Sequence, residues 1–140
     1  MNSLPEGYEL RDYADPAAAH AFLTESYWAK GISLESVSRA LAASIPVSIW
    51  HQGRQVAMAR VLTDYVSMAY INDVYVLPEH GGKGLAQAMI AWLRGQPALQ
   101  DVGRWALFTK DAQSLYAKLG FRQYPYPERM MIIDPKVIPQ

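Results

Sequence analysis

From residue 74 to residue 86 the chain reads Val74-Tyr75-Val76-Leu77-Pro78-Glu79-His80-Gly81-Gly82-Lys83-Gly84-Leu85-Ala86, an apolar strand pattern that runs through a glycine-rich turn into a helix pattern. Three glycines in four positions leave consecutive backbone N–H groups uncovered by side chains, at the start of a helix whose N-terminal end carries partial positive charge. Such a turn can hold an anion, a phosphate above all; the competing reading is an ordinary tight turn. It is not a P-loop, because Lys83 is followed by Gly84 rather than Ser or Thr and the first glycine is missing. A dinucleotide fingerprint fails as well, since Gln87 stands where its last glycine belongs. A second chemically unusual residue is Asp73, a carboxylate inside an otherwise apolar strand, where a charge is costly unless it is hydrogen-bonded or put to use. His20, His51 and His80 are far apart with no ligand spacing, and there is no Cys, so neither a metal site nor thiolate chemistry is expected.

These residues need elements to position them. Tyr8 to Asp12 alternates as a short strand does. Asp15 caps a helix opening at Pro16 and expected to run to about Ala29, before Gly31. Ser33 caps a second helix with Val37, Ala40 and Leu41 facing inward. Pro46 separates this helical opening from a strand-rich middle, in which Val47–Trp50 and Gln55–Val61 flank the four-residue turn His51–Arg54 as a hairpin. Ala69 to Leu77 reads as a long central strand, followed by a helix carrying Leu85, Met89 and Leu93 on one face and stopped by Gly95. Trp105–Thr109 is expected as a strand, Ala112–Leu119 as a short helix closed by Gly120, and Met130–Ile133 as a last strand. The order β-α-α-β-β-β-α-β-α-β fits a mixed α+β sheet rather than a doubly wound one.

With 140 residues, about half of them apolar, the chain suits one domain spanning residues 1–140 with a sizeable core. Thirteen basic residues balance thirteen acidic ones, so no phosphate-tracking surface for nucleic acid is expected. No stretch approaches the roughly 18 apolar residues of a membrane span, and Met1–Pro5 lacks a charged leader. A cytoplasmic protein without a membrane partner is the expectation, as a monomer or homodimer.

Val76, Pro78, Gly84 and Ala86, with the Gly82-Lys83-Gly84-Leu85 core, resemble motif A of the GNAT superfamily of acyl-CoA-dependent N-acetyltransferases. Gly81 departs from that motif, standing where the family usually has Arg or Gln to brace the loop around the pyrophosphate. Thr109-Lys110-Asp111-Ala112-Gln113-Ser114-Leu115-Tyr116-Ala117-Lys118-Leu119-Gly120-Phe121 resembles motif B, whose helix ends Leu-Tyr-x-Lys-x-Gly-Phe. The resemblance implies a GNAT-type mixed central sheet of about six to seven strands, splayed between the fourth and fifth, flanked by about four helices.

The same resemblance implies that Gly81, Gly82, Lys83, Gly84, Leu85 and Ala86 cradle the pyrophosphate of acetyl-CoA, the co-substrate, with no metal. The backbone of Val74, Tyr75 and Val76 would then pair with its pantetheine arm. Tyr116 matches the family's usual general acid, its bland alternative being a packing tyrosine. The base is open between Asp73 and Asn72: strand alternation groups Asp73 with Ile71 and Tyr75, and groups Tyr70 and Asn72 with Val74 and Val76. Asn72 stands on the face where several members carry their catalytic carboxylate. Asp73 is equally readable as structural, with deprotonation through water held by Asn72 or Tyr70. Trp28, Arg60 and Asp64, with Tyr65, are the acceptor-side candidates, the charged ones being alternatively solvated strand-end residues. Tyr124 and Tyr126 either line the same cleft or cover a sheet edge. The implied activity is transfer of an acetyl group to the primary amine of a small molecule or an amino-terminal group, by direct attack through a tetrahedral intermediate. The alternative is a non-catalytic CoA-binding or sensing module of the same fold.

Overall fold

The computed structural model describes residues 4–139, which form two compact units divided after Lys110. In the first unit the order is β1 (Tyr8–Arg11), α1 (Pro16–Leu23), α2 (Leu34–Ala42), β2 (Ile45–His51), β3 (Arg54–Thr63), β4 (Ala69–Val76), α3 (Leu85–Arg94) and β5 (Trp105–Ala106). The five strands form one sheet in the order β1-β2-β3-β4-β5, antiparallel except for the parallel β4–β5 pair that α3 connects. The second unit holds α4 (Gln113–Lys118) and a 3-10 turn at Pro127–Arg129.

The helices start where local chemistry starts them. The Asp15 carboxylate accepts from the Ala18 N–H ahead of Pro16, and the Ser33 hydroxyl oxygen accepts from the Ser36 N–H. Contrary to the expected run to Ala29, α1 ends at Leu23. The Ser26 hydroxyl donates to the Leu23 carbonyl and accepts from the Ala29 N–H, offering the backbone a turn in place of another helical one. The β2–β3 loop is tighter than the four residues expected. Gln52 (φ 51°) and Gly53 (φ 76°) alone make it, both left-handed as the twist of a two-residue hairpin requires. Pro46 lies in β2 opposite Arg60, beyond the last β1 pair at Ser48, on a stretch paired with β3 alone, where proline is tolerated.

Six to seven strands were expected and five are present among the described residues. Met130–Ile133 is not a strand: Met131 and Ile133 are each 92% exposed, and an apolar run with no partner edge has no ladder to join. Trp105–Thr109 shortens to Trp105–Ala106, because pairing with β4 stops after Ala69↔Trp105 and Tyr70↔Ala106.

One face of the sheet packs Met58 and Tyr75 against Ala19, Leu23, Val37 and Leu41 of α1 and α2, with the Phe22 ring stacked on Tyr75 at 4.2 Å between centroids. The alternate residues of β3, Ala57, Ala59 and Val61, are fully buried on the other face. Their small side chains leave room for α3, which packs on β2, β3 and β4 through its buried Leu85, Ala88, Met89, Ile90 and Leu93. No helix among the described residues is long and apolar enough to cross a membrane.

Candidate active site

The strand that leads into the glycine turn is not a regular one. Met58 pairs with Tyr75 and Arg60 with Asn72, so Ala59 alone stands opposite Asp73 and Val74, which is a β-bulge. Asp73 takes the extra residue's conformation with φ 54°, a left-handed backbone that Asp tolerates better than most residues. The bulge resets the alternation expected for this strand. Cross-strand partners share a face, so Tyr70, Asn72 and Tyr75 lie with Leu62, Arg60 and Met58 toward α1 and α2, whereas Ile71 and Val76 face α3 with Val61 and Ala57. Grouping Ile71 with Tyr75, or Asn72 with Val76, is therefore corrected by one inserted residue.

Asp73 is the hub of this region. Its Oδ2 accepts from Arg60 Nε at 2.8 Å and its Oδ1 from Trp28 Nε1 at 2.8 Å, with the Asp73 and Arg60 side chains only 10% and 9% exposed. Arg60 Nη1 donates onward to the Ser44 hydroxyl at 2.9 Å, and that hydroxyl donates to the Ala40 carbonyl. One carboxylate thus ties β4 to β3, to the corner after α2 and to the loop after α1. The Asp73 N–H is taken locally, by Asn72 Oδ1 at 2.9 Å. Trp28, Arg60, Asp73 and Asn72, four of the candidates read from sequence, are brought together, but Arg60 and Trp28 address Asp73 directly. Ser44 was not singled out from sequence, and no signal in its neighbourhood could have found it.

Downstream of the bulge, a 3-10 turn at Pro78–His80 delivers the glycines. Gly82 (φ 74°) and Gly84 (φ 76°) are left-handed, whereas Gly81 (φ −70°) is in a conformation open to any residue. A Cβ built on Gly82 or Gly84 would meet nothing within 4 Å, so open space lies beside both. No side chain caps the N-terminus of α3 at Gly84, and Lys83 stands exposed in the same turn. Donors without a cap, a helix dipole, an ammonium group and an open cradle fit a diphosphate. Gly84→Ala is expected to place a methyl group in that cradle and to strain the backbone by about 1–2 kcal/mol, raising the KM for acetyl-CoA about tenfold; an unchanged KM would remove the cradle from the site.

The remaining candidates fall elsewhere. Asp64 folds its own loop: its carboxylate accepts from the N–H groups of Val66, Ser67 and Met68 and from the Ser67 hydroxyl, and these bonds hold its pKa well below the ordinary carboxylate range. Tyr65, left-handed at φ 68° and half exposed, sits at the tip of that loop. His51 and His80, distant in sequence, come within 5.1 Å ring to ring, with the Tyr8 hydroxyl hydrogen-bonded to His80 Nδ1 at 2.7 Å. Even so, no group of three or more metal-ligating side chains occurs among the described residues.

Within the second unit, α4 closes on a Schellman motif. The Phe121 N–H reaches the Tyr116 carbonyl at 3.1 Å, the Gly120 N–H reaches the Ala117 carbonyl at 3.2 Å, and Gly120 has φ 98°. The accompanying apolar contact is Tyr116 with Phe121, ring edge to face at 5.9 Å. The Gly-Phe of the second motif is thus a helix-closing device that fixes Tyr116. The Tyr116 side chain is buried, and burial pushes its phenol above the ordinary tyrosine value. Tyr124 and Tyr126 meet edge to face at 6.1 Å, and the Arg129 guanidinium lies over Tyr126.

A mixed sheet whose fourth strand bulges and then runs through left-handed glycines into an uncapped helix defines an α+β domain with an open turn at the end of that strand. The chain belongs to the GNAT acetyltransferase family: the family model for the acetyltransferase (GNAT) domain matches residues 44–123. It is 30% identical to a curated protein of Gibberella zeae named “Putative acetyltransferase”, over 86% of this chain and 85% of that one. Among solved structures, a “putative acetyltransferase belonging to the gnat family” from Xanthomonas campestris pv. campestris superposes with a TM-score of 0.89 at 35% identity, covering 98% of this chain and 99% of that one. A Clostridium acetobutylicum “predicted acetyltransferase with acetyl-CoA” shares the fold with a TM-score of 0.71 at 16% identity, over 91% and 96% of the two chains. The family supports acetyl transfer from an acyl-CoA in general terms.

Proposed function

We propose that the chain is an N-acetyltransferase that moves the acetyl group of acetyl-CoA to a primary amine by direct attack. The observation that carries this reading is the open cradle at Gly82 and Gly84 on the uncapped end of α3, directly downstream of the bulged strand. The Clostridium relative, whose structure holds acetyl-CoA, lends support through the shared fold.

In this reading the turn Gly81–Ala86 binds the diphosphate through Lys83 and the main-chain N–H groups from Gly82 onward, the Gly81 N–H being taken by the Pro78 carbonyl at 3.1 Å. The backbone of Val74, Tyr75 and Val76 aligns the pantetheine arm as an added strand does. Bound acetyl-CoA supplies a thioester carbonyl carbon open to attack and a thiolate able to leave. As the new N–C bond forms and the C–S bond breaks, the nitrogen gives up a proton to water held by Asn72 or Tyr70, and the Tyr116 hydroxyl returns one to sulfur. Asp73, with both oxygens accepting from Arg60 and Trp28, is assigned to positioning the bulge rather than to taking that proton.

The test is consumption of acetyl-CoA across a panel of primary amines, with acetylated product identified by mass. Binding of CoA without consumption by any amine would replace this reading with a CoA-sensing module, which the absence of the family's Arg or Gln at Gly81 favours. Gly81→Arg is compatible with the backbone at φ −70°, although its Cβ would sit 3.3 Å from the Pro78 carbonyl oxygen. It is expected to tighten CoA about tenfold by adding a charged phosphate contact; no gain in calorimetry would mean that Lys83 already meets that need.

A further inference from the structure

The Asp73 hub spends its acceptors and leaves donors over. Arg60 and Asn72 are direct partners across β3 and β4, so both side chains stand on the sheet face toward α1 and α2. Both also reach the same residue: the Asn72 side chain accepts from the Asp73 N–H, and the Arg60 guanidinium donates to the Asp73 carboxylate. A backbone N–H can only donate, so the Asn72 atom that meets it is the amide oxygen, and the amide NH2 is the end that remains. On Arg60, Nε is taken by Asp73 and Nη1 by Ser44. Arg60 Nη2 and Asn72 Nδ2 have no hydrogen-bond partner among the described residues, and none of those residues has a buried polar side-chain atom without one, so both nitrogens reach solvent.

The unused groups decide what this face takes. Asp73 Oδ1, Asp73 Oδ2 and Asn72 Oδ1 each already accept a hydrogen bond, whereas one guanidinium nitrogen and one amide NH2 are still to be met. An oxygen of a bound molecule meets that demand, and its bond to the guanidinium is charge-assisted. Because the Arg60 charge is already balanced by Asp73, a neutral carbonyl serves as well as a carboxylate. The Tyr70 phenol stands two residues before Asn72 on the same face. Burial pushes it above the ordinary tyrosine value, with the Asp73 charge adding to the rise and the Arg60 charge opposing it, so it keeps its proton beside the pair.

We propose, resting on the acetyl-transfer reading, that the acceptor is an amine with a carbonyl or carboxylate group close to its nitrogen, as in an amino acid or an amino terminus, and that Asn72 Nδ2 and Arg60 Nη2 receive that oxygen. Both donors border Asp73, next to Val74 where the pairing with the pantetheine arm begins, so the oxygen they hold and the nitrogen that reacts must lie near each other. Asn72 determines specificity in this arrangement, which leaves Tyr70 to hold the water that takes the proton. Simple alkylamines offer these donors nothing and leave them to solvent.

The test compares L-alanine, L-leucine and L-phenylalanine, and their amides, with the matched amines that lack the carboxyl group: ethylamine, 3-methylbutylamine and 2-phenylethylamine. Wild-type protein is expected to give the acids or the amides a kcat/KM about tenfold or more above the matched amines. A preference for the amides identifies a carbonyl as the group received, and a preference for the acids a carboxylate. Because a carbonyl also lowers the basicity of the amine beside it, the decisive comparison is with Asn72→Asp, which keeps an oxygen for the Asp73 N–H and replaces the NH2 donor by an acceptor. There the advantage shrinks about tenfold or more through the KM of the carbonyl-bearing substrate, while the KM for acetyl-CoA holds. Asn72→Ala repeats the loss, and thermal melts check that both variants fold. Equal or better use of the matched amines by the wild type would overturn the proposal, as would an advantage that both variants leave untouched. Should nothing consume acetyl-CoA, the transfer reading falls by itself, and calorimetry with the same acids and amides in the presence of CoA decides this one. Binding that Asn72→Asp weakens would sustain the oxygen site; no heat, or equal heat in the variant, would sink it.

Discussion

Tyr116→Phe is expected to lower kcat by about a hundredfold or more while leaving acetyl-CoA binding intact, the range for loss of a general acid. Removing one hydroxyl keeps the ring that meets Phe121 and the Schellman closure of α4, so the fold should be unaffected. The pH profile separates a chemical role from a packing one. The active phenol is the protonated one, and burial raises its pKa above the ordinary tyrosine value, so it keeps its proton through neutral and mildly alkaline pH. In the wild type, kcat should therefore show no loss from this group until the pH passes the ordinary tyrosine range, and in Tyr116→Phe any such alkaline limb disappears. Unchanged turnover in the variant would return Tyr116 to packing and leave the proton to water.

Arg60→Met is expected to destabilise the protein by about 3–5 kcal/mol, because it strands a buried carboxylate without its counter-charge. For a chain of this length that corresponds to a fall in Tm on the order of 10 °C or more. The bond that matters is Arg60 Nε to Asp73 at 2.8 Å between side chains about one-tenth exposed. Adding Asp73→Asn, which is isosteric and tolerates the left-handed backbone of the bulge, removes the stranded charge and should recover a good part of the loss. The double-mutant cycle read by chemical denaturation gives the coupling directly. Additive losses would show that the two side chains do not depend on each other, and the hub would then not be what holds β4, β3 and the α1–α2 loop together.

Much of this fold is legible locally. Asp15 and Ser33 begin helices because their side-chain oxygens meet N–H groups three residues on, and Gly120, left-handed at φ 98°, closes α4 where a Cβ is least welcome, while Gly95 follows α3 in a right-handed conformation. The glycine turn, its left-handed residues and the uncapped start of α3 follow from composition over a dozen positions. The misreadings share one cause, which is that strands are completed by partners far away in sequence. Met130–Ile133 is as apolar as a strand and finds no edge, Trp105–Thr109 loses its ladder after two pairs, and a single bulge at Asp73 overturns the grouping of every side chain downstream.

The same division runs through the candidate site. The backbone of a glycine turn depends on residue type and order within a few positions, so the Gly82-Lys83-Gly84 turn and the closing glycine behind Tyr116 could be read before any coordinates. The partnership of Asp73 with Arg60 and Trp28 could not, since those residues are 13 and 45 positions apart and nothing local predicts that one carboxylate will meet both. Burial makes that carboxylate seek donors, and which donors answer depends on how β3 and the α1–α2 loop pack across β4.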